Sequence, residues 1–312
     1  MLKNLAVILL TISLLLTLSA CNSNVDKDVS PAPSEASSTE QGKLNVVVSF
    51  DAMREFAIAV GKDKISVQSI IPDGTEPHSF SPKASDIETL NTAQLFVYSG
   101  MGMESAWVDK TLDAVENSDL VVVEASQGVI PIKFADAEAE EDHSEFDPHV
   151  WLSLKNAEIE AGNIKKALIE IDPSNETFYE TNYSEFQAQL ETLYDDYATK
   201  LSTVSNKNFV TGHAAFGYLC RDFGLTQNSV QDVFATGEPS AKKLKELVEY
   251  CIANNITTIF VEDMVSPKVS ETLANEVGAK VEVIYTIASH EDGKDYITRM
   301  TENLEKIYEA LK

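Results

Sequence analysis

The sequence predicts an α/β protein of two lobes, each built on a parallel βα sheet, joined by one long helix. On both sides of the middle of the chain, short β-branched runs alternate with stretches of helical periodicity, the pattern of parallel βα units. Between the two halves, Tyr179, Tyr183, Phe186, Leu190, Leu193, Tyr197, Leu201 and Val204 recur every three or four positions, which keeps one face of a single helix apolar. With 312 residues the chain is long enough for two domains, each with its own core.

In chain order, residues 44–50 read as a strand buried on both faces, followed by a helix over 54–60. Residues 65–71 form the second strand. The loop after it, 72–82, holds His78 between Pro77 and Pro82, outside any regular element. Ser81 and Pro82 have the N-cap and N1 chemistry of a helix that runs to about Asn91. A third strand over 94–99, a turn over 100–104, a helix over 105–116 and a fourth strand over 120–124 follow. The long acidic loop 135–144 then leads into Asp147-Pro148-His149-Val150-Trp151-Leu152, and loops of that length are functional or disordered. Pro148 disfavours helix at Asp147 and an apolar run follows, so His149 is expected at the lip between a loop and a packed segment.

Residues 153–171 are helical, and Asp172 with Pro173 opens the joining helix. That helix spans about thirty residues, roughly 45 Å at 1.5 Å per residue. A coiled coil would need a partner with matching heptads, which the sequence does not supply. The βα alternation then resumes: Asn208–Thr211 is a strand that delivers Gly212-His213, and a helix over 214–223 follows. Next come a strand within 225–234, a helix over 239–254 and a strand over 257–261 ending in Glu262-Asp263. Ser266-Pro267 opens a helix, 281–287 closes the sheet, and Tyr296–Leu311 is the terminal helix. The lobes are therefore expected over 44–171 and 205–312, with the linking helix at 172–204.

The first 43 residues lie outside the expected fold. Lys3 and the apolar run 5–18 read as a signal peptide over 1–20, too short to span a membrane. It ends in Leu18-Ser19-Ala20-Cys21, which resembles a bacterial lipobox in which Cys21 is lipidated and becomes the mature N-terminus. Acyl chains there would hold the protein on a membrane at about 0.8 kcal/mol per buried methylene. Residues 21–43 are rich in Ser, Pro, Glu and Ala and read as a flexible tether.

The balance of 24 Lys+Arg against 50 Asp+Glu gives a net charge of -26, which repels nucleic acid and excludes it as a partner. Cys220 and Cys251 permit one disulfide without requiring it, and the absence of a Cys-x-x-Cys pair argues against a thiolate metal site.

His78, His149 and His213, three of only five histidines, each fall just beyond a predicted strand or its loop. Ligands of open parallel sheets bind outside the carboxyl ends of the strands. Two of these histidines come from the first lobe and one from the second, so a single ion could bridge them in an interlobe cleft. Any one of them alone reads as a hydrogen-bonded structural residue; together they read as a metal site. Three imidazoles suit zinc better than manganese, which favours oxygen ligands.

The motifs Gly74-Thr75-Glu76-Pro77-His78-Ser79-Phe80, Asp147-Pro148-His149-Val150-Trp151-Leu152 and Gly212-His213-Ala214-Ala215-Phe216-Gly217-Tyr218 resemble the zinc/manganese substrate-binding lipoproteins of ABC importers. The resemblance covers nearly the whole mature chain. It implies two α/β lobes on a rigid backbone helix, with metal held between them and delivered to a permease and its ATPase. It also implies that His78, His149 and His213 are ligands, and a histidine at the third position is similar to the zinc-binding branch. The family often takes a fourth, acidic ligand from the loop after the last strand, where this chain has Ala288. Glu262, His290, Glu291 or water remain as fourth ligands, and Glu262 could instead orient an imidazole from behind. The loop 135–147 has acids but only His143, so it reads as a solvated charged segment rather than a metal collector.

The expected function is capture of Zn²⁺ by a monomeric, lipid-anchored, non-enzymatic protein on the extracytoplasmic face. A manganese-binding counterpart is the alternative. An extracellular metallohydrolase would need a general base, for which Glu262 is the candidate, but no His-Glu-x-x-His motif exists. An adhesin would leave the three histidines unexplained. Zinc affinity is expected to fall as pH drops through the histidine range near 6.5.

Overall fold

The computed structural model describes residues 42–133, 145–235, 239–262, 266–289 and 293–312. The first half holds β1 (Leu44–Val48), β2 (Ile65–Ser69), β3 (Leu95–Tyr98) and β4 (Val121–Glu124), with α1 (Asp51–Gly61), α2 (Ala84–Leu90), α3 (Val108–Asp113) and α4 (Leu154–Ile171). The second holds β5 (Asn208–Thr211), β6 (Thr226–Ser229), β7 (Thr258–Glu262) and β8 (Lys280–Ile284). After the joining helix α5 (Glu176–Thr203) its helices are α6 (Gly217–Phe223), α7 (Ala241–Ala253), α8 (Lys268–Val277) and α9 (Tyr296–Leu311).

Each half is a four-stranded parallel sheet, ordered β2-β1-β3-β4 and β6-β5-β7-β8, so the two halves repeat one topology. The inner strands have the apolar runs that burial on both faces demands: Val46, Val47 and Val48 in β1, and all of β7, are buried. The edge strands β2 and β4 alternate in exposure because one face meets solvent.

The joining helix has 28 residues and is about 42 Å long at 1.5 Å per residue. Asp172 fixes its start, accepting from Ser174 Oγ (2.7 Å), Asn175 Nδ2 (2.6 Å) and Tyr179 OH (2.8 Å) across a 3-10 turn over Pro173–Asn175. Its buried stripe, Tyr179, Phe186, Leu190, Leu193, Tyr197 and Leu201, is the periodicity legible in the sequence. These residues share one continuous core with Phe50 and Trp151 of the first half and Phe216, Phe260 and Leu304 of the second. A smaller core, including Val210, Leu247 and Ile259, lies elsewhere in the second half. Close packing of that shared core couples the lobes mechanically.

Several expected boundaries move. His78 is not outside regular structure: it sits in a 3-10 helix, Pro77–Ser79, where Pro77 supplies the first position and Glu76 Oε1 accepts its backbone N–H at 3.3 Å. Helix α2 starts at Ala84 rather than at Pro82, because Asp86 reaches back to the Lys83 N–H (2.7 Å) and caps it there. Helix α3 starts at Val108 rather than 105. Gly100, Met101 and Gly102 have left-handed φ of 85°, 53° and 97°, and the Glu104 carboxylate ties the turn by accepting from Ser99 N and Gly100 N, each at 2.9 Å. Helix α6 starts at Gly217 rather than 214, because Ala214 and Ala215 spend their N–H groups on the carbonyls of Asp232 and His213.

Cys220 and Cys251 are buried free thiols, not a disulfide. The expected signal peptide, lipobox and most of the tether, and the acidic loop with His143, lie outside the described residues. No helix among the described residues is long and apolar enough to cross a membrane.

Candidate metal centre

Three loops at the carboxyl ends of strands converge in one pocket. The 72–80 loop after β2 brings His78, the segment before α4 brings His149, and the turn after β5 brings His213. One ligand atom from each lies within 4.8 Å of the other two. The Nε2 atoms of His78 and His149 are 3.2 Å apart, and the His149 and His213 rings meet edge to face with centroids 4.7 Å apart. Nitrogens at 3.2 Å share either one proton or one metal ion. Two nitrogens 2.0–2.1 Å from one tetrahedral zinc lie about 3.3 Å apart, so this pair already has the spacing of a zinc edge.

His149 is buried, and Asp147 sets its orientation. Asp147 Oδ1 accepts both the backbone N–H of His149 (3.0 Å) and its ring Nδ1–H (2.9 Å). When Asp147 is ionised it can only accept, so Nδ1 carries the proton and Nε2 faces the pocket with its lone pair. Asp147 belongs to the second motif, but its role was not read from the sequence. The signal was available: an Asp two residues before a histidine, across a proline, makes an Asx turn onto that histidine's N–H. A Cβ at Gly217 would fall 2.5 Å from Asp147 Oδ2, so a larger residue there would push the Asp147 carboxylate. Exchanging Asp147 for Asn should lower zinc affinity about 10–100-fold, measured by chelator competition, and unchanged affinity would reduce Asp147 to a fold residue.

His213 is held from behind. Its backbone N–H donates to Glu262 Oε1 at 2.9 Å, and its carbonyl accepts from Thr211 Oγ1 (2.5 Å) and Gln227 Nε2 (3.0 Å). The ring Nε2 lies 2.9 Å from the Val233 carbonyl, an acceptor, so this contact puts the proton on Nε2 and leaves the lone pair on Nδ1. Glu262 lines the pocket but is not in the group of mutually close ligand atoms. A Cβ at Gly212 would fall 2.4 Å from Glu262 Oε2, so a larger residue there would displace the Glu262 carboxylate. Neither Thr211, Gln227 nor the Val233 carbonyl was legible in advance, because their approach to His213 depends on sheet register.

Ala288 and Thr286 form the wall facing the imidazoles, and Trp151 Nε1 donates to the Thr286 carbonyl at 2.7 Å, tying the two lobes together beside the site. His290 and Glu291 lie outside the described residues.

Burial controls the charge of this pocket. It pushes the His149 imidazole down to about 3, and His213 to about 3 with His149 adding to the effect. Burial pushes Asp147 up to about 7, against the His149 N–H and the nearby His213, which pull it down. Both buried imidazoles therefore stay neutral, the form that binds metal, well below the range expected for free histidine. For these two ligands burial moves proton competition below the 6.5 of free histidine.

Two parallel sheets on a backbone helix, with three imidazoles converging between them, define a two-lobed metal-binding protein. Residues 46–310 match the family described as zinc-uptake complex component A, periplasmic, and the chain belongs to that family. It is 45% identical over 280 residues to a protein of Treponema pallidum (strain Nichols) named for metal binding, covering 87% of this chain and 88% of the relative. It is 36% identical over 282 residues to the high-affinity zinc uptake system protein ZnuA of Bacillus subtilis (strain 168), covering 86% and 88%. Among solved structures it is similar to the laminin-binding protein Lmb of Streptococcus agalactiae, described as bifunctional with adhesin and metal-transporting activity. That match has a TM-score of 0.79 at 34% identity, and covers 86% of this chain and 100% of the other.

Proposed function

We propose that this chain is the extracytoplasmic substrate-binding protein of an ABC importer, capturing Zn²⁺ in the interlobe cleft and handing it to a membrane permease powered by its ATPase. The observation that carries this reading is the 3.2 Å separation of His78 and His149 Nε2, with His213 completing the group. In this reading His78, His149 and His213 are the ligands. Glu262 supports His213 through its backbone, and water, His290 or Glu291 fills the fourth position. Nitrogen-rich coordination favours zinc over manganese.

Cys21 carries the lipid that anchors a monomer to the membrane, residues 21–43 are its tether, and the lobes divide at 44–171, 172–204 and 205–312. A hydrolytic role has less support, because Glu262, the candidate base, accepts the His213 N–H. The Streptococcus agalactiae neighbour combines adhesion with metal transport, and metal transport is the part that three converging imidazoles account for.

Competitive calorimetry of the full chain with Zn²⁺ and Mn²⁺, alongside His213→Ala, tests the reading. One tight zinc site, weakened sharply in the variant, with manganese far weaker, is expected. Manganese binding as tight as zinc, or indifference to losing His213, would refute it.

A further inference from the structure

A second group of buried charges lies behind the cleft, and metal coordination does not use it. Arg299 on α9 is 1% exposed, and its guanidinium serves two acceptors. Nη2 donates to Asp51 Oδ2 at 2.5 Å, and Nη1 donates to the Ser289 carbonyl at 2.7 Å. Asp51 opens α1 just past β1, so the pair joins the last helix of the chain to the first. Ser289 follows Ala288, a residue of the pocket wall. Its hydroxyl accepts the Gly74 N–H at 2.8 Å, on the loop that four residues later carries His78. A continuous path of polar contacts therefore runs from Asp51 through Arg299 and Ser289 to Gly74.

Taking a guanidinium and a carboxylate out of water is costly, and their pairing only offsets that cost; an apolar pair of similar volume would stabilise the core at least as well. An apolar pair could not hold two separate acceptors at a fixed angle, which is what the planar guanidinium fork does. The two acceptors here are a first-half carboxylate and the carbonyl of Ser289, the residue after Ala288 of the pocket wall, so the fork ties that wall to the first lobe. The neighbouring Glu55, also on α1, accepts the Tyr296 N–H at 3.1 Å and clamps the start of α9 in the same place.

We infer that Arg299 is a positioning residue for metal capture: by holding the 286–289 wall against the His78 loop, it sets how slowly bound Zn²⁺ leaves. This rests on the zinc-site reading above.

The test is the rate at which excess chelator strips Zn²⁺ from the full chain, followed by stopped flow, with urea unfolding midpoints measured on the same proteins. If the unsubstituted chain binds no zinc, the proposed function fails and takes this inference with it. Given binding, Ser289→Ala leaves the Arg299–Asp51 pair intact and removes only the Gly74 acceptor, and Arg299→Lys keeps a cation beside Asp51 without a fork. Both are expected to raise the dissociation rate about tenfold, the low end of what outer supports of a metal site are worth, with Ser289→Ala unfolding near the unsubstituted midpoint. Unchanged dissociation in Ser289→Ala and Arg299→Lys would overturn the inference. A rate that rises only in proportion to lost stability would overturn it as well, by making Arg299 a purely structural residue.

Discussion

His149→Ala should bind zinc more than about 100-fold more weakly than the unsubstituted chain, because losing a ligand exceeds the 10–100-fold cost of losing a ligand's support. His149 stands at the centre of the group, with Nε2 3.2 Å from His78 Nε2 and its ring 4.7 Å from that of His213. No other described residue offers a ligand atom in its place within the mutually close group. Chelator competition measures the loss, and retention of affinity within about tenfold would remove His149 from the ligand set.

The same variant carries a pH signature. Burial lowers His149 from 6.5 to about 3 in the folded chain. The unfolded chain therefore takes up this proton first as pH falls, so the stability tied to neutral His149 is full above about 6.5 and is lost towards 3. Asp147, raised to about 7, works in the opposite sense: its contribution is present below 3.8 and is lost as pH rises through 7. Both wild type and variant retain Asp147, so the comparison isolates the imidazole. After chelation, the stability of the unsubstituted protein relative to His149→Ala should fall by up to about 1.4 kcal/mol per pH unit between pH 6.5 and 4. Urea unfolding at pH 7 and pH 5 reads this directly, and a pH-independent difference would mean that His149 is not buried as a neutral imidazole.

Trp151→Ala should cost about 3–5 kcal/mol of folding stability, the range for emptying a buried aromatic site. Its ring is fully buried and packs edge-on against Phe50 at 4.7 Å, inside the core shared by both lobes. The variant also loses the Nε1 donor to Thr286, so zinc should dissociate faster in addition to the lost stability. Trp151→Phe keeps most of the apolar burial and should recover more than half of the loss. A cost below about 1 kcal/mol for Trp151→Ala would show that the shared core does not couple the lobes as its packing implies.

The lobes, the joining helix and the three histidines could be read from the chain because each depends on short-range pattern. A parallel sheet announces itself by apolar runs such as Val46-Val47-Val48, and a 28-residue helix by its spacing of aromatic and leucine residues. The histidines were legible because strand ends position them, and strand ends are visible in sequence. Helix starts at Ala84, Val108 and Gly217 were missed where a side chain, a left-handed glycine turn or a carbonyl outside the helix ties the preceding backbone, a contest that periodicity does not register.

How those histidines are held depends on contacts distant in sequence. Asp147 fixes the His149 ring over two residues, but Glu262 reaches His213 across 49 positions and Trp151 reaches Thr286 across 135. Arg299 reaches Asp51 across 248. Such contacts depend on the register of separate sheets and on the packing of α9 against the first half, quantities set by the whole core and by no local stretch of sequence. Local sequence marks which residues could bind a metal. The folded chain determined that two of their imidazoles are buried and neutral, which of their nitrogens carry protons, and what holds the wall that faces them.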